Sequence, residues 1–232
     1  MLEVQDIDSF YGELQVLRQV SLHVDEGEVV ALFGPNGHGK STLLKAISGL
    51  HPPVAGSVKF NGEELSKLPV HKIVERGLAY IPEERNLFTD MTVMENLKMG
   101  AYNPRAHKTI KSNLEFVFRV FPRLEERQNQ YCSTLSGGEA RMVAIGRGLM
   151  SETSLLLVDE PSIGLSPGMR KAVFEAIARI NTERKITILI VEQEIENALA
   201  LSQRFYLLKN GQVAFERKAS EVDVAEIERA YF

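Results

Sequence analysis

The sequence predicts an α/β fold with a mostly parallel sheet core, an N-terminal antiparallel β portion and an inserted helical lobe, and three observations carry that prediction. Short apolar runs at 29–33, 78–81, 155–158 and 186–191 alternate with stretches of helical period, as strands do when helices cover both faces of their sheet. The first 33 residues read almost entirely as alternating strands separated by Gly-containing turns. From about residue 84 to 150 the strand signal nearly vanishes, and 93–99, 108–121 and 139–150 carry a helical period instead.

Taken in order, strands are expected at 2–9, at 15–24, where Val16, Val20, Leu22 and Val24 mark the inward face, and at 28–33. Tyr11-Gly12 and Glu26-Gly27 form the turns between them. A first helix runs to Gly49, His51-Pro52-Pro53 breaks the chain, and 56–62 reads as a short strand and turn. A helix at 70–76 precedes the strand 78–81, which runs into Pro82. After the lobe come a strand at 155–158, a helix at 168–180, a strand at 186–191, a helix at 194–201, and a hairpin of 205–208 with 212–215 around Asn210-Gly211. The whole chain, 1–232, is expected to be one domain, with 1–83 and 151–232 as its core and 84–150 as a helical subdomain.

Composition bounds the function. Hydrophobic residues at 44% and charged residues at 25% are those of an ordinary globular chain, and no apolar run approaches the ~20 residues of a membrane span. The N-terminus lacks the basic-then-apolar plan of a signal peptide, so a cytoplasmic location is expected, with membrane contact only through partners. A net charge of −4 with interleaved signs argues against a groove for nucleic acid. The single cysteine, Cys132, allows no internal disulfide, and the five scattered histidines suggest no metal cluster.

The chemistry concentrates in four places. Gly34-Pro35-Asn36-Gly37-His38-Gly39-Lys40-Ser41 lies between an apolar strand and a helix beginning near Lys40, the context that the pattern G-x-x-x-x-G-K-[ST] requires of a phosphate-binding loop. Its glycines let successive N–H groups face a polyphosphate at a helix N-terminus. Lys40 is then the charge between the β- and γ-phosphates, and the Ser41 hydroxyl a ligand of Mg2+. Asp159-Glu160 ends the apolar run 155–158; the first acid suits a Mg2+ ligand, direct or through water, and the second suits orienting an attacking water. Tyr11, an aromatic in a polar turn, is open to two readings, a stacking platform for a base or a half-buried turn residue. Leu135-Ser136-Gly137-Gly138-Glu139 opens a helix and reads either as a second anion site or as a capped helix without a ligand.

The order of Tyr11, the loop 34–41, the stretch 135–139 and Asp159-Glu160 resembles the ATP-binding subunit of an ABC transporter over essentially the whole chain, a P-loop NTPase fold of ABC type. The resemblance implies ATP and Mg2+ as cofactors, with the loop residues Gly34 to Thr42 and Tyr11, stacked on adenine, forming the ATP site. It further implies that two such chains stack head to tail, so that Ser136, Gly137, Gly138 and Glu139 of one close over ATP on the other, with the loop 162–166 crossing between them. The lobe beyond Glu84 would dock on membrane-spanning partners at the cytoplasmic face of the cell membrane.

Two departures from the usual family text narrow the resemblance. Family members generally carry glutamine after the strand ending at Ile81 and histidine after the one ending at Val191; here stand Pro82-Glu83 and Glu192-Gln193. Glu83 can still reach a metal through water, whereas Gln193 can hydrogen-bond a γ-phosphate but cannot take a proton, so hydrolysis is expected to lean on Glu160. These positions, with 88–97 and 121–127, look like the smaller ATP-binding subunit of high-affinity branched-chain amino-acid importers, and the urea and short-amide importers share much of this text. The resemblance then implies two permease subunits, a second ATP-binding chain in a heterodimer or a second copy in a homodimer, and an extracytoplasmic substrate-binding protein acting indirectly. A soluble, non-transport ABC ATPase is the remaining alternative, which would call for a long coiled coil, a tandem cassette or a basic face.

Overall fold

The computed structural model describes residues 1–193 and 195–221, in two compact units. The first joins Met1–Ile73 to the chain from Thr187 onward, and the second is Val74–Ile186.

The first unit opens with an antiparallel sheet in the order β2-β1-β4-β5, built from β1 (Leu2–Tyr11), β2 (Leu14–Val24), β4 (Ala55–Phe60) and β5 (Glu63–Glu64). Strict alternation would bury every second residue, but β1 buries Leu2, Val4, Ile7 and Ser9, and β2 buries Leu17, Val20, Leu22 and Val24. The phase slips are β-bulges, where the register shifts between Val4 and Ile7 and again between Ile7 and Ser9, and the left-handed Asp6 (φ 45°) and Gln19 (φ 48°) absorb the extra residues. Side chains across the pair replace the lost ladder bonds: Asp6 N donates to Ser21 Oγ and Gln19 N to Asp8 Oδ1. β1 runs two residues further than the sequence suggests, to Tyr11, and β2 starts one residue earlier, at Leu14, because Gly12 (φ 60°) turns the chain tightly between them.

The same unit holds β3 (Val29–Phe33), which pairs in parallel with both β8 (Thr187–Val191) and β9 (Arg204–Lys209), while β10 (Gln212–Lys218) returns antiparallel to β9. Every residue of β3 and β8 is buried, which is why each reads as an unbroken apolar run rather than an alternating one. The helices α1 (Lys40–Ile47) and α8 (Ile195–Leu201) belong here, and α2 (Val70–Glu75) begins here and ends in the second unit; the sequence-based helix 194–201 begins at Glu194, which lies outside the described residues.

In the second unit β6 (Leu78–Ile81) pairs in parallel with β7 (Leu155–Asp159). Its helices are α3 (Val93–Gly100), α4 (Ile110–Val120), α5 (Pro122–Glu126), α6 (Gly137–Leu149) and α7 (Pro167–Arg184). The short α5 has too few residues to show a period, and its signal is Pro122 at the first helical position. Helix α7 runs past the expected Ile180 to Arg184, where Lys185 (φ 55°) ends it in the left-handed conformation. Helices α3 and α6 approach closely: a Cβ on Gly100 would sit 1.9 Å from the carbonyl oxygen of Arg147, so no larger residue fits there. Among the described residues no helix is long and apolar enough to cross a membrane.

Candidate functional site

The loop between β3 and α1 is shaped by its glycines and held by polar ties from Lys40 and His38. Gly37 (φ 79°) and Gly39 (φ 100°) take left-handed conformations, and Gly39 is the N-cap of α1. A Cβ on Gly34 would meet the Leu208 carbonyl oxygen at 2.3 Å, so the loop leaves β3 only because that position has no side chain. Lys40, 4% exposed, folds its ammonium back onto the loop, donating to the carbonyl oxygens of Gly34 (2.8 Å) and Pro35 (3.2 Å) and to Asn36 Oδ1 (3.4 Å). Asn36 and Gly37 are exposed at the crest, while Ser41 and Thr42 are half-buried at the start of α1.

His38 ties the loop to the β9–β10 hairpin. Its Nδ1 accepts from Asn210 N (3.0 Å) and its carbonyl from Gly211 N (3.2 Å). The Asn210-Gly211 turn legible in the sequence thus braces the phosphate loop as well as joining two strands. Tyr11 is 46% exposed, with one face of its ring stacked on His51 at 4.2 Å between centroids and 8° between planes. The His51 ring is anchored in turn by Nε2, 2.9 Å from the Phe10 carbonyl oxygen. Sequence reasoning treats His51 as an ordinary loop histidine, because nothing in the spacing of Tyr11 and His51 announces the stack.

The acids that follow the apolar run of β7 are buried rather than solvated. Asp159 is 1% exposed and closes β7; Glu160 is 6% exposed and follows in the left-handed conformation (φ 43°), uncommon for a residue with a side chain. The Tyr80 hydroxyl, on the neighbouring strand β6, donates to Asp159 Oδ2 (3.0 Å). Glu83 and Gln193 are exposed; the Glu83 carbonyl accepts from Arg141 Nη2 (2.7 Å), and Gln193 N donates to Glu192 Oε2 (3.3 Å). The loop, Tyr11 and Gln193 lie in the first unit, and Glu83, Ser136 to Glu139, Asp159 and Glu160 in the second.

The stretch 135–139 forms a capping box. Ser136 is the N-cap of α6: its Oγ accepts from Glu139 N, and Glu139 Oε2 accepts from Ser136 N (3.0 Å) and from Ser136 Oγ (2.8 Å). Gly138 is buried against α7, where a Cβ would fall 2.2 Å from Met169 Cε. Burial raises the Glu139 carboxyl, but the bonds from Ser136 and the cations Arg127 and Arg123 outweigh it, so the acid titrates below the ordinary carboxylate value. A carboxyl lowered in the folded state stabilises the fold above its unfolded value of about 4.3, and that contribution is lost as pH falls through the lower folded value. Glu139→Ala should therefore cost about 1 kcal/mol at pH 7, and the difference from wild type should shrink at an acid pH below the lowered folded value. Urea unfolding at the two pH values checks this; an equal cost at both would mean that the carboxylate charge does not hold the cap.

The model of the ABC transporter family matches residues 17–163, more than half of the chain, from β2 through the phosphate loop, the Ser136 cap and both acids. The chain belongs to that family. It is 43% identical over 213 residues to the high-affinity branched-chain amino acid transport ATP-binding protein BraG of Pseudomonas aeruginosa, covering 92% of this chain and 91% of that one. It is 38% identical over 222 residues to the probable branched-chain amino acid transport ATP-binding protein LivF of Archaeoglobus fulgidus, covering 96% and 94%. Among solved structures, a nucleotide-free ATP-binding cassette of an ABC transporter superposes with a TM-score of 0.83 at 28% identity, covering 99% of this chain and 94% of that chain. A dimeric cassette in a post-hydrolysis state, bound to ADP and Pi, gives 0.82 at 26% identity, covering 94% and 99%. The fold is thus the α/β fold of an ABC ATPase, and the chain is an ATP-binding member of a transport family.

Proposed function

We propose that this cassette is the ATP-hydrolysing subunit that energises an importer of branched-chain amino acids, working at the cytoplasmic face of the membrane. The observation that carries the reading is 43% identity to a branched-chain amino acid transport ATP-binding protein, sustained over 92% of the chain. In this reading ATP lies on the loop Gly34, Pro35, Asn36, Gly37, His38 and Gly39, with Tyr11 stacking its free face on the adenine. Lys40 exchanges its loop carbonyls for phosphate oxygens. Ser41, Asp159 and, through water, Glu83 each offer the oxygen donors that a hard cation takes, and Mg2+ would supply charge neutralisation at the phosphates. Glu160 orients and deprotonates the attacking water, while Gln193, which has no basic atom, only hydrogen-bonds the γ-phosphate.

Ser136 to Glu139 would serve ATP held by a second cassette, because a capped helix N-terminus presents N–H groups to an anion. We take that second cassette to be a different ATP-binding chain, and the lobe 84–150 to dock on two membrane-spanning permeases, with a substrate-binding protein acting through them. Purifying the tagged chain from gently solubilised membranes tests this. Recovery of two polytopic subunits and a second ATP-binding chain, together with loss of leucine, isoleucine and valine uptake on deletion, is the expected result. Uptake loss confined to urea or short amides would overturn the substrate, and recovery without membrane subunits would overturn the transport role.

A further inference from the structure

Helix α6 carries a charge where its surroundings call for none. Most of its residues are buried, Val143, Ile145 and Leu149 among them, and a helix buried on nearly every side should be apolar throughout. Yet Arg141 is 0% exposed and is among the largest fully buried side chains of the protein. Taking a guanidinium out of water is costly, and an apolar chain of similar length fills such a space at least as well, so filling space alone gives no account of it.

Its hydrogen bonds give one. Nη1 donates to the Pro82 carbonyl (2.8 Å), and Nη2 to the Glu83 carbonyl (2.7 Å) and, more weakly, to the Glu160 carbonyl (3.4 Å). A guanidinium is planar with its donors in a fixed fork, so carbonyls that share it are set relative to one another. The Glu160 carbonyl also accepts from Ile163 N (3.3 Å), and the residue is held at φ 43°, a conformation that costs energy for a residue with a Cβ and needs its surroundings to enforce it. The orientation of that peptide decides where the Glu160 carboxyl points.

We propose that Arg141 is a positioning residue for hydrolysis, fixing the main chain of Glu160 and of Pro82-Glu83 from a helix that begins, five residues earlier, at the Ser136 cap. The proposal rests on the reading of Glu160 as the base, so Glu160→Gln is the control. In the complex recovered from membranes, Arg141→Met keeps an unbranched, adaptable apolar stem without the donors, and Arg141→Lys keeps a donor without the fork. The expected result for Arg141→Met is a native circular-dichroism spectrum, ATP affinity within twofold of wild type, and kcat down about 100-fold. Arg141→Lys should recover about tenfold of that loss, because an ammonium can satisfy some of the carbonyls without setting their mutual angle. A residue that merely fills the core would lower the melting temperature and the active fraction but leave kcat per active site and its ratio to KM unchanged. Arg141→Met with kcat within twofold of wild type, or loss of the fold in both variants, overturns the proposal. If Glu160→Gln itself keeps wild-type turnover, the reading of the base has failed and the proposal falls with it, on a separate result.

Discussion

Glu160→Gln should lower ATP turnover by about three orders of magnitude while leaving ATP binding within a few-fold, the size associated with removing a general base. The substitution conserves shape and hydrogen bonding and removes only the capacity to take a proton. Its effect should be large because no other group in the proposed set duplicates the role. Asp159 is 1% exposed, holds the Tyr80 hydroxyl, and is assigned to the metal. Glu83 is exposed rather than packed, and Gln193 has no basic atom. Glu160 is only 6% exposed, in a conformation its neighbours enforce. Single-turnover ATP hydrolysis and equilibrium binding, measured on the same preparations, separate the two effects. Turnover within a few-fold of wild type would move the role elsewhere, and a parallel loss of binding would make Glu160 a structural residue of its loop.

The parts of the fold that were legible in the sequence are those with a local cause. Strand β6 matches its apolar run, Leu78–Ile81, residue for residue, because both ends are set by neighbours in sequence, the left-handed Gly77 and Pro82. The phosphate loop was legible for the same reason, its glycines answering to backbone conformations that can be inferred one position at a time. The bulges at Asp6 and Gln19 were not, because these residues take positive φ only where the opposite strand supplies Ser21 and Asp8 to hold them.

Much of the support around the candidate site is of this second kind. Tyr80 reaches Asp159 across 79 positions, His38 reaches Asn210 across 172, and Arg141 reaches Pro82 across 59. No window of sequence contains both ends of such a contact. Arg141 shares its helix with a second cation, Arg147, so nothing in the sequence marks it out, and its complete burial is what makes it a constraint. The same holds for Tyr11: an aromatic in a turn left two readings open, and the parallel His51 ring shows that one of its faces is already occupied while the residue stays half exposed.

Lys40→Ala should weaken ATP binding by about tenfold to 100-fold, and the expected size follows from what the ammonium does before nucleotide arrives. A charge-assisted hydrogen bond to a phosphate contributes ~1.5–3 kcal/mol, and each ~1.4 kcal/mol is a factor of ten. Lys40 does not begin from water, however. Its Nζ already donates to the carbonyls of Gly34 and Pro35, so binding exchanges those bonds for phosphate contacts, and the net effect belongs toward the lower end of that range. The same exchange predicts a second effect. Without nucleotide, Lys40→Ala removes the tie that closes the loop on itself and should lower the melting temperature of the free chain; with saturating ATP the loop is held by phosphate, and the gap from wild type should narrow. Lys40→Arg should not restore binding, because a planar fork at a position only 4% exposed has no room to replace a compact ammonium. Calorimetric titration of MgATP into wild type and both variants, with melting curves at zero and saturating nucleotide, measures each effect. Affinity within twofold of wild type, with the melting temperature lowered in both states, would reduce Lys40 to a tether of its own loop.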